Sequence, residues 1–205
     1  VTNHDTDNMD IKNLLDKAGN FILKRLSELI GLLLTIISIL LFVSLITYSP
    51  EDPNFIFPNN TEIKNLLGVK GSHVSDVFYQ SIGLISILIP FSIFFTGISV
   101  LKKKSLLIII ENLFFIILYS IIGTLFFTVF YQENFWLTIN GNNGFVGNLF
   151  DESFLINLIR LNLDISYYLL LLLILITFLF SINFNLITTI KNFKVFLILF
   201  KKKNN

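Results

Sequence analysis

The chain has 205 residues, of which 54% are hydrophobic and 14% charged, with 15 Lys and Arg against 14 Asp and Glu. Soluble domains carry about 45 to 50% apolar and about 25% charged residues, so the polar side chains needed to cover a soluble globule are missing and a soluble enzyme is not expected. With no cysteine, disulfides, thiolate zinc sites, iron–sulfur clusters and cysteine nucleophiles are ruled out.

In chain order, residues 1–28 form a polar N-terminal segment. Within it Ile11, Leu14, Leu15, Ala18, Phe21 and Ile22 recur at helical spacing, which predicts an amphipathic surface helix or a plain extension of the first span. Four stretches have the roughly 20 apolar residues that a helix needs to cross a hydrocarbon core about 30 Å thick. They lie at about 29–48, 77–101, 112–131 and 165–185, within a membrane domain of residues 29–190. The second contains Pro90 near its middle, read as a kink. Residues 191–205 are a basic tail or the start of a linker. The first span is not read as a signal peptide, because a long polar segment precedes it and no small-residue cleavage site follows.

Basic residues favour cytoplasmic loops. Lys12, Lys17, Lys24 and Arg25, then Lys102, Lys103 and Lys104, then Lys191, Lys194, Lys201, Lys202 and Lys203 fall on one side, leaving only Lys64, Lys70 and Arg160 on the other. Both termini are therefore expected in the cytoplasm. Tyr48, Tyr79, Tyr131, Trp136, Tyr167 and Tyr168 lie near the outer span ends, where amphipathic rings settle; Tyr119 breaks the pattern. The lysine runs at 102–104 and 201–203 are explained by topology before lipid or nucleic-acid binding. The predicted fold class is all-α: a polytopic protein with four transmembrane helices, N-in and C-in, and a short interfacial helix before the fourth span.

The outer loops carry the local signals. Pro50 and Pro53 stop the first helix, and Asp52 is read as a turn aspartate bonding nearby backbone. Asn65, Gly68 and Gly71 precede the second span, and the glycine pair predicts unusual backbone dihedrals. Asn140 to Gly147 is turn chemistry with Gly144 and Gly147. From Phe154 to Asp164, Asn157, Arg160 and Asp164 form a polar side, with Leu155, Leu158, Ile159 and Leu163 facing lipid or the bundle.

Candidates for chemistry are few. Glu111 is the one acidic residue inside a candidate span, a functional hypothesis by default; the favoured reading starts the span at Asn112 and leaves the carboxylate among basic partners. Otherwise the spans offer only isolated Ser, Thr and Gln80. His4 and His73 lack a second metal ligand at suitable spacing, and Asn59-Asn60-Thr61 is too short a sequon to carry weight. No GxxxxGK[ST], GxGxxG, HExxH or nucleophile elbow occurs, so no catalytic residue, cofactor or metal is expected and nucleotide hydrolysis is not expected of this chain.

Taken in order, the loop motifs resemble the N-terminal four-span membrane domain of the bacterial DNA translocase FtsK, of the FtsK/SpoIIIE family, over residues 20–190. The family's x-P-x-D-P matches Ser49-Pro50-Glu51-Asp52-Pro53, and its N-x-x-G-x-x-G-x-x-x-[AS]-D matches Asn65, Gly68, Gly71, Ser75 and Asp76. Its mid-span proline matches Pro90, and its GG-x-[VI]-G turn matches Asn143-Gly144-Phe145-Val146-Gly147, with Asn143 in place of one glycine. The resemblance implies a bacterial inner-membrane anchor and septal assembly domain of a DNA translocase acting in cell division and chromosome segregation. It implies as partners the lipid bilayer and division-site proteins, with DNA reached only through a motor domain that residues 1–205 do not contain; self-association as a homo-oligomer is expected to be weak, because the spans contain no GxxxG pair. Because the C-terminus is expected in the cytoplasm, the reading frame or an adjacent one is expected to continue into a polar linker followed by the GxxxxGK[ST] phosphate cradle of a translocating ATPase. The alternative is a small transporter or ion-coupled permease subunit using Glu111.

Overall fold

A computed structural model describes residues 3–53, 62–132, 137 and 139–184, with side chains from Leu15 onward. The described residues are all-α, and four helical stretches are long and apolar enough to cross a membrane: Leu15–Ile46, Gly68–Lys103, Leu107–Phe130 and Leu163–Ser181. Exposed and buried residues are distributed as lipid demands. Leu32, Leu40, Phe114, Ile117, Leu172 and Phe180 are exposed, while Ser38, Ser44, Ser92, Thr96, Asn112 and Thr124 are buried. In hydrocarbon, polar groups find partners only inside the protein, and apolar side chains lose nothing by facing out.

Helix α1 (Asn3–Ile46) runs unbroken for 44 residues. At about 1.5 Å per residue that is roughly 66 Å, twice the hydrocarbon thickness, so the N-terminal segment is the span's own extension. Helix α2 (Gly68–Ile82) begins nine positions before the expected start at 77. A 3-10 segment, Gly83–Leu88, then interrupts the second span, and α3 (Ile89–Lys103) completes it. Pro90 lies in the first turn of α3, not at a mid-helix kink: proline's fixed φ and missing N–H suit a helix start.

A left-handed Lys104 (φ 56°) closes α3, and α4 (Leu107–Phe130) returns. Two short helices follow, α5 (Gly144–Phe150) and α6 (Phe154–Arg160). Ser153 caps α6 through Ile156 N–H, and the residue that α6 buries is Ile156 rather than any of the apolar set named above. Arg160 pairs with Asp151 at 2.9 Å. Helix α7 (Leu163–Ser181) is the last span, capped by Asn162.

The principal packings are α1 on α3 and α4 on α7. A Cβ on Gly97 would sit 2.8 Å from Gly31 O, and one on Gly123 would sit 2.3 Å from Ile85. These small residues serve close packing within the chain. The apolar core lies toward the end opposite Lys102–Lys104, around Leu41, Leu45, Tyr48, Tyr79, Ile85 and Leu137. We call that the loop end, and the other the basic end.

Candidate functional site

The loop end is built around the C-terminus of α1. A helix leaves its last carbonyls without intrahelical partners, and near lipid those groups need donors from the protein. Ser44 O accepts from the Asn65 side-chain amide at 2.9 Å, and Leu45 O accepts from the Tyr79 hydroxyl at 3.1 Å. The Ser44 hydroxyl donates to Gly71 O at 2.6 Å, and Thr47 Oγ1 accepts from Leu66 N–H at 3.2 Å. The chain entering the second span therefore terminates the first.

Asp52 holds that arrangement from the other side. Its carboxylate is buried (4% exposed) and accepts from Lys64 N–H at 2.8 Å and Asn65 N–H at 2.9 Å. This corrects the local-turn reading: the partners lie twelve and thirteen residues on, because the loop folds back over α1. Asn65 Oδ1 then accepts from Leu67 N–H at 3.1 Å. The glycines differ in their reasons. Gly68 has φ +66° with open space around it, whereas Gly71 has no positive φ and is excluded from bearing a side chain by Asn65 Oδ1, 2.1 Å from where a Cβ would lie. Pro53 offers its carbonyl to Ser72 Oγ at 2.5 Å, and Pro50 stands in the turn just past α1.

Asp76 is also buried, accepting from the Tyr48 hydroxyl at 3.2 Å and Gln80 Nε2 at 3.4 Å. Burial first, and the neighbouring Asp76 carboxylate second, push the Tyr48 phenol well above its usual value of 10.0. A phenol that titrates later when folded than when unfolded leaves stability untouched below about pH 10 and withdraws it as pH rises further, since the unfolded chain then binds fewer protons. Alkaline titration followed by circular dichroism should show loosening that begins above pH 10 and is shallower in Tyr48→Phe. The loop also carries an exposed Lys64–Glu51 ion pair, which lowers the Glu51 pKa; such pairs add little.

The second loop enters the break in the second span. Leu84 N–H, freed by the 3-10 segment, donates to Asn142 O at 2.9 Å. Gly83 (φ +70°) and Gly144 (φ +67°) cross backbone to backbone, such that a Cβ on Gly144 would lie 2.4 Å from Gly83 N. A Cβ on Gly147 would lie 2.7 Å from Thr128 Oγ1, so α5 is held against α4. Asn143, which replaces a family glycine, has φ −90° and is buried, so no glycine is required there. Its amide lies 3.1 Å from Thr128 Oγ1 and 2.8 Å from Asn148 Oδ1.

Sequence reasoning missed three things. Gly83 was legible only as a glycine inside an apolar run. The second was the interior polar chain, since supposedly isolated groups join up: Ser92 Oγ lies 3.1 Å from Tyr119 Oη and 2.7 Å from Ser181 Oγ, Asn112 Nδ2 donates to Thr96 Oγ1 at 2.8 Å, and Asn183 Nδ2 donates to Asn112 Oδ1 at 2.9 Å. That chain also accounts for Tyr119 lying inside the bundle. The third concerns Glu111, which lies in the second turn of α4, is exposed and forms no ion pair among the described residues, while nearby Lys104 pairs with Glu28. His73 is half-buried on α2, and no metal-holding group of His and acidic residues occurs among the described residues. Trp136, Asn59 and the tail lysines lie outside the described residues, as does the side chain of His4.

Four spans, with the two loops of the loop end hydrogen-bonded into them, define a polytopic membrane domain. Residues 23–194 match the family described as the 4TM region of DNA translocase FtsK/SpoIIIE. The chain belongs to that family: it is an FtsK-type four-span membrane domain. It is 33% identical over 78 residues to a DNA translocase FtsK of Rickettsia bellii (strain RML369-C), covering 38% of this chain and 10% of the relative. It is 34% identical over 67 residues to that of Rickettsia prowazekii (strain Madrid E), covering 33% and 9%. The Azospirillum brasilense protein of the same name is 37% identical over 65 residues, 31% of this chain and 10% of the relative. The matches thus span about a tenth of those relatives' length. No solved structure matches.

Proposed function

We propose that this domain anchors an FtsK-type DNA translocase in the bacterial inner membrane at the division septum and serves there as an assembly platform for division proteins. The observation that carries the reading is the family match over residues 23–194. The locked loops support it, because an anchor acts by holding a fixed shape toward its partners. On this reading both termini are cytoplasmic, the side from which a tethered motor reaches ATP and chromosome. DNA is handled only by that motor, and the domain itself catalyses nothing. Self-association is weak, because small residues that would bring copies together are already used between α1 and α3.

A fluorescent fusion should concentrate at the septum of dividing cells, and Asn65→Ala, which unties the first loop, should disperse it. Uniform labelling of the membrane by the native domain would overturn the septal role. Reporters placed after Asn205 or within Lys102–Lys104 should be active only in the cytoplasm, and one near Asn59 only outside; a cytoplasmic signal at Asn59 would reverse the orientation. Solute flux in proteoliposomes that Glu111→Gln abolishes would replace the anchor with a permease.

A further inference from the structure

At the basic end, Leu23 of α1 faces Leu106, Leu107 and Ile110 of the α3–α4 turn and α4 across a groove of about 270 Å³, with Lys104 in its wall. Lys104 is neutralised: it pairs with Glu28, which also takes Arg25 at 2.7 Å. Its neighbours are not. Lys24, Lys102 and Lys103 are exposed, and among the described residues none of the three has an ion-pair or hydrogen-bond partner for its side chain. Lys24 lies one helical turn before Glu28 on α1, and Lys102 and Lys103 lead directly into Lys104 on α3, so all three flank the Glu28–Lys104 pair that joins the two helices. Glu111, a turn further along α4 than Leu107, is exposed and forms no ion pair among the described residues.

We propose that this groove binds one anionic phospholipid, an acyl chain lying along Leu23, Leu107 and Ile110 and the phosphate held by Lys24, Lys102 and Lys103. The site is at the end of three spans, where headgroup phosphate meets hydrocarbon. Its lining is apolar apart from the paired Lys104, and the cations that suit a phosphate adjoin lining residues along the chain: Lys24 follows Leu23, and Lys102 and Lys103 precede Lys104. Topology explains why lysines are at this end; it does not explain a slot beneath them. A second groove, lined by Ser38, Ile39, Phe42, Pro90, Phe91, Phe94 and Phe95, is larger at about 350 Å³ and has no charged side chain. It offers hydrocarbon contact without headgroup selection and serves as the internal control.

The test uses the full chain in vesicles of phosphatidylcholine and phosphatidylglycerol, one or the other brominated on its acyl chains. The single tryptophan, Trp136, is replaced by Phe and a reporter is introduced as Leu23→Trp in the basic groove or Ile39→Trp in the control groove. Quenching at Leu23→Trp should give a preference for phosphatidylglycerol of roughly fivefold or more, the factor that about one lysine–headgroup attraction supplies. The preference at Ile39→Trp should stay near one. Lys24→Gln/Lys102→Gln/Lys103→Gln should bring the Leu23→Trp value down to the control, with helical content unchanged. Should the triple variant fail to insert, Lys24→Gln alone leaves the α3–α4 turn intact and should lower the preference in smaller measure. Equal preference at the two reporters, or a preference that Lys24→Gln leaves unchanged, would overturn the proposal.

Discussion

Gly144→Ala should unfold the loop end, whereas Gly68→Ala should be tolerated, although the two glycines have nearly the same φ, +67° and +66°. The left-handed conformation costs an alanine roughly 1 kcal/mol at either site. At Gly68 nothing lies within 4 Å of a Cβ, so that cost is the whole effect. At Gly144 the Cβ would meet Gly83 N at 2.4 Å and Ile82 C and N at 2.7 Å, all backbone. Backbone cannot rotate aside as a side chain can, so the second loop must lift off the break in the second span. Leu84 N–H then loses Asn142 O. Overpacking and a broken buried hydrogen bond together put the loss at about 3 kcal/mol or more. Unfolding in detergent micelles followed by circular dichroism compares the two variants directly. Equal losses would mean that the loop does not pack on Gly83.

Asn65→Ala should be the most damaging change in the first loop. The Asn65 side chain satisfies Ser44 O and Leu67 N–H, and Asn65 N–H itself fills one oxygen of Asp52. Truncation leaves the buried Ser44 carbonyl unpaired and removes the partner of Leu67 N–H, a cost of about 2 to 3 kcal/mol. Asp52→Asn should cost about 2 kcal/mol, because two N–H groups need two acceptor oxygens and an amide turns a donor toward one of them. Combining Asn65→Ala with Asp52→Ala should cost less than the sum of the single losses, since either change already releases the Lys64–Asn65 backbone from α1. Additive losses in the same unfolding assay would show that the two residues act separately.

The sequence by itself determined that the chain crosses a membrane on four helices, because apolar length is a local property and lipid permits nothing else. The stop at Pro50, the unusual dihedral at Gly68 and the turn at Gly144 were legible for the same reason: each answers to its immediate neighbours. Tertiary structure decided the rest. Asp52 looks the same in sequence whether it caps its own turn or a segment twelve residues away, and only the fold of the loop over α1 chooses. Gly71 and Gly147 are needed for approach rather than for φ, which depends on what lies opposite. Asn112 and Glu111 are adjacent, yet rotation about α4 puts the amide inside the bundle against Thr96 and Asn183 and the carboxylate outside. The break at Gly83 needed the distant second loop, at Asn142, to receive the freed Leu84 N–H, a pairing that no window of local sequence contains.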